Sequence, residues 1–554
     1  MTSQASPRNY ALLLLAVAFI AVWFGNLEYR KLTRPDEGRY AEIAREMAVT
    51  GDWITPRLNG IKYFEKPPLQ YWATGAAYRL FGEHQWTARL WPAMTGLGAV
   101  LLVFFAGRRL FGPAAGLCSA LVLAGSVGHV TIGHLNNLDM GLTFFMTATL
   151  LAFLLAQHAA PSTAKRRNWI LVAWACAALA VLSKGLIGIV LPGAVLAVYV
   201  VVQRDFGLLR SLQWGGGVAL FLIIAAPWFV LVQHANPEFA RFFFIHEHFQ
   251  RFLTEIHHHV RPWWYFLPVL AAGMLPWLTL LPQAVIRGWR SHQSTGAFQP
   301  ARFLLIWAVV IFAFFSASGS KLPSYILPLV PALALLVGLV LAETGTRRLL
   351  WHTLPVLVVG IAIVVFPLYM GVTARENVPA ALPKAYVPWI VAAGLAFVIG
   401  SGCAHYCCRL GNRTAALLGM GLGGLIATQL VITGHDTLAP SYSGYHIARD
   451  IRPYLTEKTP FYSVGTYDQT LPFYLKRTVT LVAFRGELAY GLEQEPQLWL
   501  PDIRSFERAW RNERGALAIM EPHTYAELEA MGLPTQIIAR DLRRIVVKKP
   551  HAAP

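Results

Sequence analysis

With 554 residues, 55% of them hydrophobic and 14% charged, and a mean hydropathy of +0.46, the chain is too apolar for a soluble globular protein, whose charged share is nearer ~25%. Its net charge of +18 comes without any nucleic-acid-binding motif, so membrane lipids and not nucleic acid are the expected partners. All five cysteines (Cys118, Cys176, Cys403, Cys407 and Cys408) lie in or beside apolar runs, and no disulfide framework or Cys-based zinc site is implied.

Apolar runs of roughly 17–22 residues recur, each long enough for a ~30 Å hydrocarbon core. About thirteen are expected, near 10–27, 87–106, 114–130, 140–157, 169–183, 185–203, 212–232, 263–283, 303–317, 325–342, 351–371, 386–406 and 414–433. The first has no small-residue cleavage site behind it and is read as a retained helix. With the N-terminus inside, every short inner loop is basic: Arg108 and Arg109; Lys165, Arg166 and Arg167; Arg204 and Arg210; Arg287 and Arg290; Arg347 and Arg348; Arg409 and Arg413. That regularity fixes the orientation, provided 169–183 and 185–203 are two spans.

The first outer segment, 28–86, opens with Arg34-Pro35-Asp36-Glu37-Gly38-Arg39-Tyr40. Acids at 36 and 37, apolar residues at helical spacing, and Thr50-Gly51 at the end predict a helix. Tyr63-Phe64-Glu65-Lys66-Pro67-Pro68 follows, and its prolines open a second helix from Leu69 that Gly82 ends. Aromatic and cationic side chains at this spacing suit helices in the membrane interface. Asp36 is either an N-cap or a carboxylate at a membrane-edge active site. Asp139, in His134-Leu135-Asn136-Asn137-Leu138-Asp139-Met140, has the same two readings: cap of the next helix, or partner of Asp36 across a cavity.

Later outer segments add cations. Lys184 lies in Ser183-Lys184-Gly185, Arg251 in the aromatic segment 233–262, and Lys321 in Gly319-Ser320-Lys321-Leu322-Pro323-Ser324-Tyr325. Each alone, like Lys66, reads as a snorkelling interface residue. Two or three around one phosphate would form charge-assisted hydrogen bonds, with Tyr63 and Tyr325 as neutral donors. Glu65, His246 and His248 would suit a divalent metal such as zinc, although hydrogen-bonding histidines explain the same pattern. After residue 433 the hydropathy falls. Short β-like runs at Pro460–Val464, Val479–Val482, Ala516–Met520, Gln536–Ala539 and Arg544–Val547 alternate with helical patterns. They predict a soluble α/β domain over 434–554 behind a transmembrane domain over 1–433. The fold expected is thus an α-helical polytopic membrane protein with interfacial helices and a C-terminal α/β domain.

The quoted motifs carry a resemblance. Asp36-Glu37-Gly38-Arg39-Tyr40, Gly51-Asp52-Trp53-Ile54-Thr55-Pro56-Arg57-Leu58, Tyr63-Phe64-Glu65-Lys66-Pro67-Pro68 and Ser320-Lys321-Leu322-Pro323-Ser324-Tyr325 are similar to the outer loops of bacterial transferases of 4-amino-4-deoxy-L-arabinose to lipid A. These have the GT-C fold shared by protein mannosyltransferases and oligosaccharyltransferases. The resemblance covers the membrane part and implies an aminoarabinose donor on undecaprenyl phosphate, a lipid A phosphate acceptor, and reaction at the periplasmic face of the inner membrane. Loss of surface negative charge and resistance to polymyxin and cationic peptides would follow. No cofactor is required by that chemistry. Asp36 and Asp139 would be catalytic. Lys66, Arg251, Lys184, Tyr325 and Tyr63 would hold the donor phosphate, and Arg39 and Lys321 would contact substrate. A GT-C transferase of another lipid-linked sugar, or a lipid flippase, are the alternatives; charges crowded at the outer edges and not at mid-membrane depth argue against the flippase.

Overall fold

The computed structural model describes residues 7–159, 163–244, 261–290, 298–370 and 379–550. The chain divides into two compact units. The larger holds 1–28, 89–370 and 388–434; the smaller joins 29–88 and 371–387 to 435–554.

In the smaller unit, helix α1 spans Asp36–Thr50 and ends on Gly51 at φ 76°, a left-handed turn that glycine adopts without strain. Helix α2 spans Leu69–Phe81 behind Pro67-Pro68 and ends at Gly82. Both match the helices predicted from the proline and glycine punctuation. Between them a two-residue hairpin pairs Arg57–Leu58 with Ile61–Lys62 across Asn59 and Gly60, both at positive φ, the residue pair that such a turn demands.

The C-terminal segment forms a six-stranded sheet: β1 Phe461–Val464, β2 Thr480–Val482, β3 Trp499–Leu500, β4 Leu517–Met520, β5 Gln536–Arg540 and β6 Ile545–Lys548, in the order β3-β2-β1-β4-β6-β5. The β3, β2, β1 and β4 strands are parallel; β6 and β5 add antiparallel. Val464, Val482, Trp510, Ala518 and Val547 build its core. Residues 57–59 are tied to this sheet domain. Asn59 exchanges two hydrogen bonds with the Val479 backbone, at 2.7 and 2.8 Å, and Arg57 pairs with Glu495 at 2.9 Å. Gly38 packs so closely that a Cβ there would sit 2.7 Å from the Gln469 backbone, which explains a glycine inside the first turns of α1.

In the larger unit, eight helices among the described residues are long and apolar enough to span a membrane, or ten if two bent pairs count as one span each. About thirteen were expected. The other three expected spans are the first, which is helical over Pro7–Phe24, the 17-residue Ile187–Gln203, and Ala164–Lys184, whose ends carry charges. Two segments expected to be single spans are bent: Pro113–Gly125 with Val127–Gly133 by 63°, and Trp263–Gly273 with Leu278–Arg290 by 113°. Pro276 lies in the second break. We label Leu138–His158 α3, Ala164–Lys184 α4, Ile187–Gln203 α5 and Trp214–Ala235 α6. Near the first helix, polar groups satisfy one another. Asn26 donates to Gln429 at 2.7 Å and to Thr433 at 2.9 Å, while Gln429 meets His134, whose ring also contacts the Trp23 carbonyl. Hydrocarbon offers no water to these groups, so the network clamps the first helix to Arg413–Gly434.

One buried acid in the smaller unit gives a pH prediction. Glu46 on α1 is raised from 4.5 to about 8, by burial first and then by neighbouring Glu42. The folded state therefore holds a proton that the unfolded chain releases between these values. Stability from Glu46 is full below its unfolded pKa and is lost as pH rises through about 8. Glu46→Gln keeps an oxygen for the Gly60 N–H, now 2.9 Å from Glu46 Oε2, and should flatten the fall in melting temperature from about pH 5 to about pH 9. An unchanged slope would locate that loss elsewhere.

Candidate active site

In the larger unit, α3 and α4 are the most extensively packed helix pair. They run antiparallel through a short connection, so the start of α3 lies beside the end of α4. Asn137 caps α3, its side chain accepting from the Asp139 and Met140 N–H groups. Asp139 is therefore not the cap. Its carboxylate, with the residue 8% exposed, ion-pairs instead with Lys184 at the last residue of α4. The Lys184 ammonium also lies 4.8 Å over the ring of Tyr325, a cation–π contact, and Tyr325 packs on Phe315. Lys184, Asp139 and Tyr325, from three segments widely separated in sequence, thus form one cluster. Lys321 is buried and donates within its own loop, to the Ser318 carbonyl. Beside this region an apolar cavity of about 270 Å³ is lined by residues including Val127, Ile132, Val269, Leu270, Ile326 and Leu327.

In the smaller unit, Asp36 is the first residue of α1, and the position before the helix is Pro35, with no side-chain cap. Asp36 thus lies inside the helix and not at its cap position, and the Gly38 and Arg39 N–H groups go to the Thr33 and Pro35 carbonyls. Asp36 pairs with Arg39 at 3.2 Å and its side chain stays 47% exposed. Arg39 is gripped from the other side by Glu487, through Nη2 at 2.7 Å and Nε at 3.3 Å, and Gln469 donates to the same carboxylate. Burial opposes the Arg39 charge, but the acids around it, Glu487 and Asp36, offset that and hold its pKa above the ordinary value. Tyr63 lies 6.0 Å from the guanidinium. Burial pushes its phenol well above the ordinary range, and its buried hydroxyl has no hydrogen-bond partner. It is a neutral donor in waiting. Lys66 and Glu65 are half-buried neighbours, with the Lys66 ammonium on the Glu65 carbonyl at 2.9 Å.

Of the residues singled out in the sequence, Arg251, His246 and His248 lie outside the described residues. Among the described residues no three His, Cys, Asp or Glu side chains are grouped to hold a metal; Glu65 is the described member of the expected trio. Glu487 escaped the sequence reading, because its partner Arg39 is 448 residues away and no local spacing signals it.

Comparison with known proteins shows this polytopic helical chain to be a membrane glycosyltransferase of the GT-C type. Residues 10–243 match the model of the dolichyl-phosphate-mannose-protein mannosyltransferases, and 447–549 match the aminoarabinose transferase C-terminal domain. The chain belongs to the undecaprenyl phosphate-α-4-amino-4-deoxy-L-arabinose arabinosyl transferases: it is 31% identical to the Pseudomonas aeruginosa member over 92% of each chain. It is 38% identical to the Edwardsiella ictaluri member over 60% of this chain, a match that spans 59% of that relative. The crystal structure of ArnT from Cupriavidus metallidurans bound to undecaprenyl phosphate is 39% identical, with a TM-score of 0.93 over 98% of this chain and 99% of that one.

The Asp139–Lys184 pair yields a stability prediction. Lys184→Ala strands a buried carboxylate and should destabilise by about 3–5 kcal/mol, whereas Lys184→Met with Asp139→Leu, which removes both charges, should recover most of that loss. Thermal unfolding in detergent reads both. A double variant as unstable as the single would mean that the pair is not the source of the penalty.

Proposed function

We propose that this chain transfers 4-amino-4-deoxy-L-arabinose from undecaprenyl phosphate to phosphate groups of lipid A at the periplasmic face of the bacterial inner membrane. The observation that carries the reading is the agreement, over nearly the whole chain, with a structure named for binding undecaprenyl phosphate, together with cationic and phenolic groups gathered at helix ends. An oxygen of the acceptor phosphate attacks the anomeric carbon. The bond from that carbon to the carrier phosphate breaks, and its electron pair leaves with undecaprenyl phosphate. A phosphate monoester is already anionic at neutral pH, so no strong base is needed. The sugar carbon passes through an oxocarbenium-like state, by analogy with glycoside hydrolysis.

Within this reading, Lys184 and Tyr325 face the leaving phosphate, and Asp139 positions Lys184. The apolar cavity beside Tyr325 takes part of the isoprenoid chain. Lys66 and Arg251, the latter retained from the sequence, neutralise phosphate charge, and such electrostatic placement is often the largest catalytic contribution. Tyr63 supplies a neutral donor, and Lys321 contacts substrate from its loop. Asp36 lies in the first turn of α1, with its side chain 47% exposed. It contacts the cationic amino sugar or orients the acceptor, with Arg39 held beside it by Glu487. The pattern of neutral donors and cations does not require a cofactor; a divalent metal at Glu65, His246 and His248 would be an additional clamp.

The test is the mass of lipid A from a strain lacking its own transferase, with and without this chain. A gain of one aminoarabinose is expected, and no gain at verified expression would overturn the reading. Asp36→Asn should leave the melting temperature nearly unchanged and abolish the gain. Lys66→Ala and Arg251→Ala should each lower the rate about 10²–10⁴-fold, the equivalent of roughly 3–5 kcal/mol. Arg79→Ala, which loses contacts to the Ala48 carbonyl and the Trp53 ring, should retain transfer. Near-normal modification by both cation variants would reduce those residues to surface decoration.

A further inference from the structure

At the end of α4 opposite Lys184 lies a second polar feature. A cavity of about 490 Å³ is lined by Thr163, Ala164, Arg166, Arg167, Ser211 and Gln213. Thr163 and Gln213 are the residues preceding α4 and α6, helices of 21 and 22 residues, so two helix N-termini open onto it. Each presents the positive end of a helix dipole, and at α4 the Thr163 hydroxyl accepts from the Arg166 N–H. Arg166 donates to Gln157 at 3.0 Å through one guanidinium nitrogen, while its Nε is buried without a partner. Two arginines, two helix ends and an orphaned donor are chemistry for an anion with several oxygens, a phosphate first of all.

The same elements continue into an apolar groove of about 230 Å³, which includes Ile170, Ala173, Trp174 and Ala177 of α4 and Pro192 and Gly193 of α5. On α4, residues 166, 170, 173 and 177 recur at helical spacing and share one face. Leu212 and Trp214, which line the groove, alternate in sequence with Ser211 and Gln213 of the polar cavity. Trp174 fixes the junction, donating to the Leu212 carbonyl at 2.8 Å and meeting Trp214 edge-on at 5.7 Å. From Arg167 to Ala177 the helix rises ~15 Å, about half of a ~30 Å hydrocarbon core.

The geometry points to a binding site for one anionic glycerophospholipid in the leaflet opposite the transfer site, its phosphate at Arg166 and Arg167 and one acyl chain along the α4–α5 groove. A zwitterionic lipid lacks the net charge that the cavity matches, and a free phosphate leaves the groove without an occupant. The site relies on the proposed function only for the reading of the larger unit as membrane-spanning, and its test does not measure transfer.

The full chain is reconstituted in nanodiscs of phosphatidylcholine doped with phosphatidylglycerol, and lipids retained on release are counted by native mass spectrometry. The wild type should retain one phosphatidylglycerol in preference to phosphatidylcholine. Arg166→Gln with Arg167→Gln should cut that preference about tenfold or more. Gly193→Phe should also remove the bound lipid; a Cβ at Gly193 meets nothing within 4 Å, so the ring enters the groove without displacing the helix. Arg108→Gln, a charge change outside the cavity lining, should have no effect. Equal retention of phosphatidylcholine by the wild type would overturn the proposal, as would unchanged retention in both the arginine and the Gly193 variants. Thermal protection by inorganic phosphate equal to that by phosphatidylglycerol, and undiminished in Gly193→Phe, would replace the lipid by a simple anion and overturn it as well.

Discussion

An unpaired charge is not tolerated in hydrocarbon, and the Asp139–Lys184 pair is where this chain meets that constraint. Both residues sit at helix termini, Asp139 in the first turn of α3 and Lys184 at the last position of α4. The antiparallel hairpin brings these termini together, so each charge finds its partner where the spans end. The pair makes a lysine affordable in a mostly buried place. It also fixes the ammonium against the Tyr325 ring, a rigid mount for a cation whose ordinary habit is to sweep through many rotamers.

The smaller unit solves a related problem differently. Arg39 is surrounded by Tyr40, Tyr63, Asp36 and Glu487. Glu487 makes the two-pronged contact and is the more buried acid, 18% exposed against 47% for Asp36. Glu487 therefore anchors the guanidinium, and Asp36 keeps a half-exposed carboxylate at the positive end of the α1 dipole. Next to Gln469, Asp468 is held at about 2: burial would raise it, but Arg544 and Arg543 overcome that. Paired charges brace the unit around the groups that are left accessible.

Much of this was legible in the sequence because local signals specify it. Pro67-Pro68, Gly51 and Gly82 punctuate α1 and α2, and short apolar runs mark β1, β2, β4, β5 and β6. The two-residue edge strand β3 is too short to leave a pattern. The sequence offered Asp139 as a cap, but the cap is Asn137, two residues earlier, an offset that hydropathy does not resolve. The bends at Ser126 and Pro276 were hidden inside continuous apolar runs, since hydropathy counts residues and does not follow the axis. Lys184, Asp139 and Tyr325 were each singled out, but their meeting depends on helix packing. Arg39 with Glu487 depends on tertiary structure outright.

That last pair has a consequence for biosynthesis. Residues 29–88 leave the ribosome early, yet the strands and acids that complete their fold, including Val479, Glu487 and Glu495, are made after every apolar span. The segment bearing Asp36, Tyr63 and Lys66 must wait through most of translation and membrane insertion with its partners not yet synthesised. Its order is acquired last although its sequence comes first. A chain interrupted anywhere before the sheet domain would carry Asp36, Tyr63 and Lys66 and lack the contacts that shape the segment bearing them.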